Sequence, residues 1–593
     1  MRERVKNGLG TSLDFIRMIP EILIYQVITK LLLFVIVTLL KQNALLFLYR
    51  AGRSAFTSGD LPYLFKTKYG WLIAGVGLLA LFIYTVFDIN AMFLLADSVL
   101  NEKKKSWWII LKEAFISLKY FTHPQGLFVT LYLSFLGPLI GTAVGFSFMI
   151  GFSAPNFVLR YISTNPWLRV LVLLGVLLYL AVAFIYIFTI LNVIFKEEKI
   201  NIAMKSSRKA VAENWTNYAW NLLMFFVKAA VFAVGLFVVF YFLPILFINV
   251  LPMPVAFARG WKIFFSMIFT VGSFLFMLLF CPFLAIRITM LYRNQPTIPT
   301  TEESSRAQLS KLWKRFFATS LAATLAFSVF GGIFFDEIFP ISNETEIVAH
   351  RAGGNLSIEN SLSGLKKSIA NNVSVAEVDI QRTKDGTYII CHDADLKKTT
   401  GKAGNPTELT YAQIQNYRLK NRQRPWEEGE RIPTLEEMLD EAKGNIKLFL
   451  ELKGESADPQ MVHEVYAMLK ERDMISDCTV ICFNYEMIEY IEREHPDMET
   501  GYLVYFSFGN LEELNCDTYM VETECLSAGE INRIHAAGKK VAVWTVNTTS
   551  ELNRWLLTDV DYVVTDEVLA ARLLKKYIYN GADEERILQK LVM

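Results

Sequence analysis

Residues 375–393 read VAEVDIQRTKDGTYIICHD, and the fold follows from how that stretch turns back on itself. Two runs rich in β-branched residues, 375–381 and 387–393, flank Asp385-Gly386, a dipeptide that favours a two-residue hairpin. With that dipeptide as the loop, Lys384 faces Thr387 and Asp379 faces His392, so their Cβ atoms should lie about 5 Å apart. Glu377, two residues before Asp379, shares its face. A bulge at the glycine would shift this register by one residue.

Outward from the hairpin the same texture continues. β-rich runs occur at 346–350 (EIVAH), 447–453 (KLFLELK), 478–484 (CTVICFN), 501–506 (GYLVYF), 517–523 (DTYMVET), 540–547 (KVAVWTVN) and 561–566 (DYVVTD). Helical stretches separate most of them, among them 359–371, 434–443, 460–473, 484–495, 527–537 and 549–557. Alternating β and α over ~250 residues is the size and rhythm of an α/β (β/α)8 TIM barrel. Nine runs are one too many, and the hairpin accounts for the surplus.

The chain before this region is a different material. Apolar runs long enough to cross a ~30 Å hydrocarbon core occupy 71–95, 127–153, 167–195, 220–250 and 264–290, and a shorter one occupies 316–335. A further run at 22–40 carries Lys30 in its middle; spanning is expected, with Lys30 facing other helices or snorkelling. The expectation is therefore an all-α polytopic membrane domain of about seven helices over 1–340, and the barrel over 341–593. Trp71, Trp167, Trp220 and Trp261 open four of the runs, as interfacial aromatics do. The 593 residues carry a net charge of +1, but residues 346–593 alone carry −14 and the remainder +15. Lys and Arg concentrate in loops 101–124, 196–219 and 291–315, which are then cytoplasmic. That orientation sends everything after the last run outward, so the barrel is expected to be extracellular. Loop 41–70 disagrees, since it should be external yet holds Lys41, Arg50, Arg53, Lys66 and Lys68. Five of six cysteines fall in the outward part with no paired spacing, and buried free thiols are expected. The acidic surface of that part argues against nucleic acid as a partner.

Short motifs then line up at strand ends, at the hairpin turn and at helix starts. In order they are His350-Arg351, Glu359-Asn360-Ser361, Glu377-x-Asp379, Lys384-Asp385-Gly386, His392-Asp393, Thr399-Thr400-Gly401, Ile432-Pro433-Thr434-Leu435-Glu436, Glu451-Leu452-Lys453 and Trp544-Thr545-Val546-Asn547. This ordered string resembles the glycerophosphodiester phosphodiesterase family, and with 1–345 before it the chain resembles the membrane-anchored bacterial members. The chain departs from the usual pattern at Ala352, where glycine is usual, and at Ile358, where proline is usual; neither position carries a reactive group.

The resemblance implies hydrolysis of a glycerophosphodiester to sn-glycerol 3-phosphate and an alcohol, with His350 and His392 as the catalytic pair. Which of the two is the base stays open. It also implies a divalent ion at Glu377, Asp379 and Glu451, hard oxygen donors suited to Ca²⁺ or Mg²⁺ rather than zinc. Arg351 and Lys453 supply fixed positive charge for phosphate. Glu359 orients the ion or a neighbour, and Trp544 either stacks on the alcohol group or packs at the barrel rim. His463, His495 and His535 are expected to be surface or packing residues. The resemblance further implies that the glycerol hydroxyl acts as an internal nucleophile. Expected partners are the diester, a glycerophosphate polymer or lipid head group, and membrane lipid. Two other readings remain: phospholipase-type cleavage of intact or lyso-lipid head groups, and a lipid-binding or transport module with an auxiliary barrel.

Overall fold

A computed structural model describes residues 19–50, 54–58, 68–101, 105–121, 162, 163, 165–294, 304–340, 344–420, 429–505, 507–579, 583, 586 and 587. Two compact units emerge. One is built from the helices before Ile338, and the other holds Phe339–Met593 together with Leu45–Lys66. The division at residue 340 read from the sequence did not anticipate that last segment.

Among the described residues six helices are long and apolar enough to cross a membrane: Ile19–Phe47, Gly70–Leu100, Pro166–Lys196, Ile200–Val250, Val255–Arg293 and Lys314–Ile333. The expected run at 127–153 lies outside the described residues. Lys30 does face other helices: its Nζ lies 3.3 Å from Asp88 Oδ2, and the Tyr25 hydroxyl donates to Asp88 Oδ1 at 2.6 Å. Asp97 pairs with Arg293, and Asn90 donates to Ser117 Oγ at 2.8 Å. These polar groups pair between helices, which satisfies them where water is absent.

In the second unit the strands in chain order are β1 (Ala55–Thr57), β2 (Glu346–Ala349), β3 (Val375–Arg382), β4 (Tyr388–Ile390), β5 (Lys447–Leu452), β6 (Cys478–Cys482), β7 (Glu499–Val504), β8 (Ser507–Gly509), β9 (Thr518–Glu522), β10 (Lys540–Trp544) and β11 (Tyr562–Thr565). Parallel pairing runs β2-β11-β10-β9-β7-β6-β5-β3, and β2 pairs with β3 to close an eight-stranded barrel. The antiparallel β4 hangs on β3 as the surplus strand. A separate two-stranded sheet, unforeseen in the sequence, joins β1 to β8.

The hairpin register needs correction. Ile380 pairs with Ile390 and Arg382 with Tyr388, so Asp379 stands opposite Cys391, not His392. The cause is the turn. The Gly386 amide closes on the Thr383 carbonyl and Gly386 sits at φ +85°, the glycine bulge that adds one residue to the loop.

The barrel interior begins with one apolar side chain from each parallel strand: Val348, Val375, Phe449, Ile481, Leu503, Met520, Ala542 and Val564. Burying each contributes roughly 1–3 kcal/mol. The outer faces of the strands pack against helices. Thr434 and Glu437 form a capping box at the start of Leu435–Ala442, where the Glu437 amide donates to Thr434 Oγ1 at 3.2 Å. Among the described residues, β7 to β9 is the one parallel connection without an α-helix; it carries β8 and a single 3₁₀ turn.

Candidate active site at the carboxyl ends of the strands

Side chains alternate across a strand, so a step of two from each interior residue reaches the next interior position toward the carboxyl end. From Val348 the step reaches His350. From Val375 it reaches Glu377 and then Asp379, and from Phe449 it reaches Glu451 and then Lys453. Ile481, Leu503, Met520, Ala542 and Val564 lead in the same way to Phe483, Tyr505, Glu522, Trp544 and Asp566. One alternation therefore places a hydrophobic floor below and a charged, aromatic-walled bowl above it. This is the end of the barrel where such folds place their sites.

Glu377, Asp379 and Glu451 are all buried, and one carboxylate oxygen from each lies within 4.8 Å of the others. Asp379 and Glu451 are direct neighbours in the β3–β5 register. Burial, reinforced by the Asp379 charge, pushes Glu377 up to about 7, and burial pushes Glu451 up to about 8 against the pull of Lys453. Burial also works against the Asp379 charge, but Lys453, His392 and Arg351 around it hold it well below the usual carboxylate range. Two cations bind the cluster from the side: Lys453 Nζ lies 2.6 Å from Glu451 Oε1 and 3.2 Å from Asp379 Oδ1. The Arg351 amide donates to Glu377 Oε2 at 2.8 Å, and its Nη1 to Glu359 Oε2 at 3.0 Å. Glu377 Oε1 is buried without a hydrogen-bond partner. Leaving such an acceptor dry costs about 1–3 kcal/mol or more. Three hard oxygen donors, one of them unsatisfied, fit a divalent cation; nothing in the donor set distinguishes Ca²⁺ from Mg²⁺.

The two histidines are held differently. His350 Nδ1 bonds Asp566 Oδ1 at 2.6 Å, and Asn547 Nδ2 fixes the other Asp566 oxygen at 2.7 Å. Its Nε2 lies 4.0 Å from Glu377 Oε2. Burial lowers the His350 pKa, but the Asp566 carboxylate outweighs it and the net shift is upward. His392 Nδ1 bonds Asp393 Oδ1 at 2.9 Å, and Gln381 Nε2 clamps the carbonyls of Cys391, His392 and Asp393 at 3.1–3.2 Å. Burial lowers the His392 pKa more than Asp393 restores it. The protonated form is thus more favoured at His350, and less favoured at His392, than in a free imidazole.

Of the residues expected from sequence, His350, Arg351, Glu359, Glu377, Asp379, His392, Glu451 and Lys453 converge on this bowl. Trp544 lies at its rim, with Nε1 donating to the Met520 carbonyl at 2.7 Å and its ring edge-on to Phe483 at 5.5 Å. His463 and His495 bond each other at 2.8 Å on the surface, and His535 bonds Asp561 at 2.9 Å. The cysteines are free thiols. Sequence reading assigned no role to Asp566 or Gln381, and quoted Asp393 only within a motif; these residues orient the histidines. Asn360, quoted only within a motif, donates from Nδ2 to Asp379 Oδ2 at 2.7 Å. The two-residue step from each interior apolar residue would have found Asp566, Phe483 and Tyr505.

Comparison with known proteins agrees with both halves. Residues 11–330 match a family described as the membrane domain of glycerophosphoryl diester phosphodiesterase, and residues 350–570 match the glycerophosphoryl diester phosphodiesterase family. Glycerophosphodiester phosphodiesterase 1 of Mus musculus is 26% identical over 263 residues, covering 37% of this chain and 78% of that protein. A glycerophosphodiester phosphodiesterase of Bacillus subtilis is 25% identical over 243 residues, covering 37% of this chain and 82% of its own length. Among solved structures, an Oleispira antarctica phosphodiesterase in complex with the product sn-glycerol-3-phosphate is 24% identical. It matches with a TM-score of 0.36 over 39% of this chain and 96% of its own.

Proposed function

The chain belongs to the membrane-domain family of glycerophosphoryl diester phosphodiesterases, and from that premise we propose that its barrel hydrolyses glycerophosphodiesters to sn-glycerol 3-phosphate and an alcohol. The observation that carries the reading is the split histidine pair flanking the buried three-carboxylate cluster. Phosphodiester cleavage needs a base for the nucleophile, an acid for the leaving oxygen and positive charge on the non-bridging oxygens. Environments that push two titratable groups apart assign the roles. His392, held neutral, takes the proton from the glycerol's own hydroxyl as it attacks; in the second step the roles reverse, His350 taking water's proton and His392 returning its own to the glycerol oxygen. His350, held protonated on Asp566, gives a proton to the departing alcohol oxygen. Arg351 and Lys453, already positioned by Glu359, Asp379 and Glu451, stand ready for the phosphate oxygens. Glu377, Asp379 and Glu451 would hold the divalent ion, which when bound supplies Lewis-acid stabilisation of charge on the phosphate. Trp544 and Phe483 form an aromatic wall suited to the glycerol or the alcohol.

The multi-pass helices make this a membrane protein, and the loop charges support a catalytic domain outside the cell membrane. The test is a panel of glycerophosphodiesters, including a polyglycerophosphate, given to the purified full chain with Ca²⁺ or Mg²⁺. Release of sn-glycerol 3-phosphate is the expected result; hydrolysis of intact phospholipid in preference to every deacylated diester would replace the reading with a phospholipase. Protease cleavage of the barrel in intact cells tests its side of the membrane.

A further inference from the structure

The first membrane helix is followed by a segment that sits on the barrel. Ala55, Thr57 and Ser58 are 2%, 1% and 3% exposed, as buried as core strands. Ala55 pairs with Gly509 and Thr57 with Ser507 across the β1–β8 sheet, and the Asn510 amide donates to the Ser54 carbonyl at 3.2 Å. The Thr57 hydroxyl bonds the hydroxyl of Tyr502 on the outer face of β7. Asn510 Nδ2 donates to the Tyr49 hydroxyl at 2.7 Å, and that hydroxyl reaches Glu513 at 3.2 Å. Gly509 has φ +117°, and a Cβ there would meet the Ser54 carbonyl oxygen at 2.8 Å and Ala55 Cα at 2.9 Å. The close approach therefore requires glycine. The segment occupies the β7–β9 connection, the one that no α-helix covers.

That connection leads into the site. Ser58 Oγ accepts the Tyr505 amide at 3.3 Å. The Tyr505 ring packs on Phe483 at 6.0 Å, Phe483 packs on Trp544 at 5.5 Å, and Lys453 Nζ lies 5.8 Å from the Phe483 ring centre. Three contacts thus run from the loop between the first two membrane helices to the cation beside the carboxylates, and a fourth branches from Phe483 to Trp544. The basic surplus of loop 41–70, discordant as a topological signal, suits a segment lying on an acidic domain.

We propose that residues 54–58 are a positioning strap for the Tyr505–Phe483–Trp544 wall, and that through it the membrane half sets which alcohol group the barrel accepts. The proposal rests on the phosphodiesterase reading. Ser58→Ala removes the acceptor for Tyr505, and Thr57→Val removes the bond to Tyr502; neither residue touches a reacting group. In the full chain both are expected to raise KM about five-fold for a bulky diester, glycerophosphoinositol, with kcat and the constants for glycerophosphoethanolamine unchanged, as loss of uniform binding requires. The contact itself is read separately. Thr57→Cys with Ser507→Cys places two thiols on directly opposed residues of an antiparallel pair, and the purified full chain should form that disulfide under mild oxidation, seen by mass. No cross-link, or an unchanged preference between the two diesters in both point variants, overturns the strap. Inactivity of the unsubstituted chain on both diesters would instead sink the reading of the reaction, and this proposal with it.

Discussion

The two halves of this chain obey opposite rules for where apolar side chains go. In the membrane unit large hydrophobics lie outermost: Leu171, Leu178, Val231, Phe247 and Ile333 are each more than half exposed. The polar residues Asp88, Asn90, Thr29 and Ser266 are buried. In the barrel the interior begins with apolar residues and the outer strand faces are covered by helices. The same alphabet is read against lipid in one half and water in the other. The difference teaches where chemistry can be placed. The barrel can afford a buried anionic cluster because two cations, the Arg351 amide and the Asn360 side chain surround it. The membrane unit uses its buried charges to hold helices together.

If that contrast is right, disabling the bowl removes turnover and disturbing the helix contacts does not. The largest effect is expected from His350→Ala or His392→Ala, a loss of about 10²–10⁴-fold in kcat, measured as sn-glycerol 3-phosphate release; near-normal turnover in either would break the assignment. Chelation by EDTA should stop the reaction, and re-addition of Ca²⁺ and Mg²⁺ separately should show which ion the carboxylates take. Because Glu377 and Glu451 are pushed up to about 7 and about 8 in the ion-free site, ion uptake near pH 7 should release on the order of one proton. Calorimetry in two buffers of different ionisation enthalpy would reveal it, and a buffer-independent heat would contradict it.

Asp566→Asn gives a sharper, smaller effect. The base His392 must be neutral and its pKa is lowered, so activity should fall on the acid side below the ordinary histidine range. The acid His350 must be protonated and its pKa is raised, so activity should fall on the alkaline side above that range. Removing the Asp566 charge should bring the alkaline limb down in pH and leave the acid limb in place; a shift of the acid limb would exchange the two roles. The smallest effects compare one hydrogen bond in each medium. Thr434→Ala, which removes a capping box in the barrel, should cost about 1 kcal/mol. Tyr25→Phe, which removes the bond to Asp88 between membrane helices, should cost about 0.6 kcal/mol. Thermal melting of the purified chain reads both, and a Tyr25→Phe cost well above that of Thr434→Ala would mean that lipid strengthens such bonds more than the comparison allows.

Strand alternation made the barrel legible before any coordinates, because period-two patterning and short helical links are local properties. His350, Glu377, Asp379, Glu451 and Lys453 were legible because ordered strand-end motifs resemble a known family. The hairpin register was not: the choice between a two-residue turn and a glycine bulge at Gly386 turns on one backbone torsion. For Asp566 the local two-residue step gives only the face it shares with the site; barrel closure between β11 and β2 is what brings it to His350. The β1–β8 pairing was hidden for a similar reason, since its partners stand 450 or more residues apart in sequence and three-residue strands leave almost no periodic trace.

That pairing also constrains parity. A segment hydrogen-bonded to the barrel must share its compartment, so the chain has to cross the bilayer an even number of times between Ser58 and Phe339. Five of the candidate membrane helices fall in that interval, and five is odd. An even count needs one crossing more, and the sequence offers an apolar run of spanning length at 127–153. A three-residue strand thereby acts as a counter: any topology that places the loop after the first helix and the catalytic barrel in different compartments is incompatible with the hydrogen bonds between them.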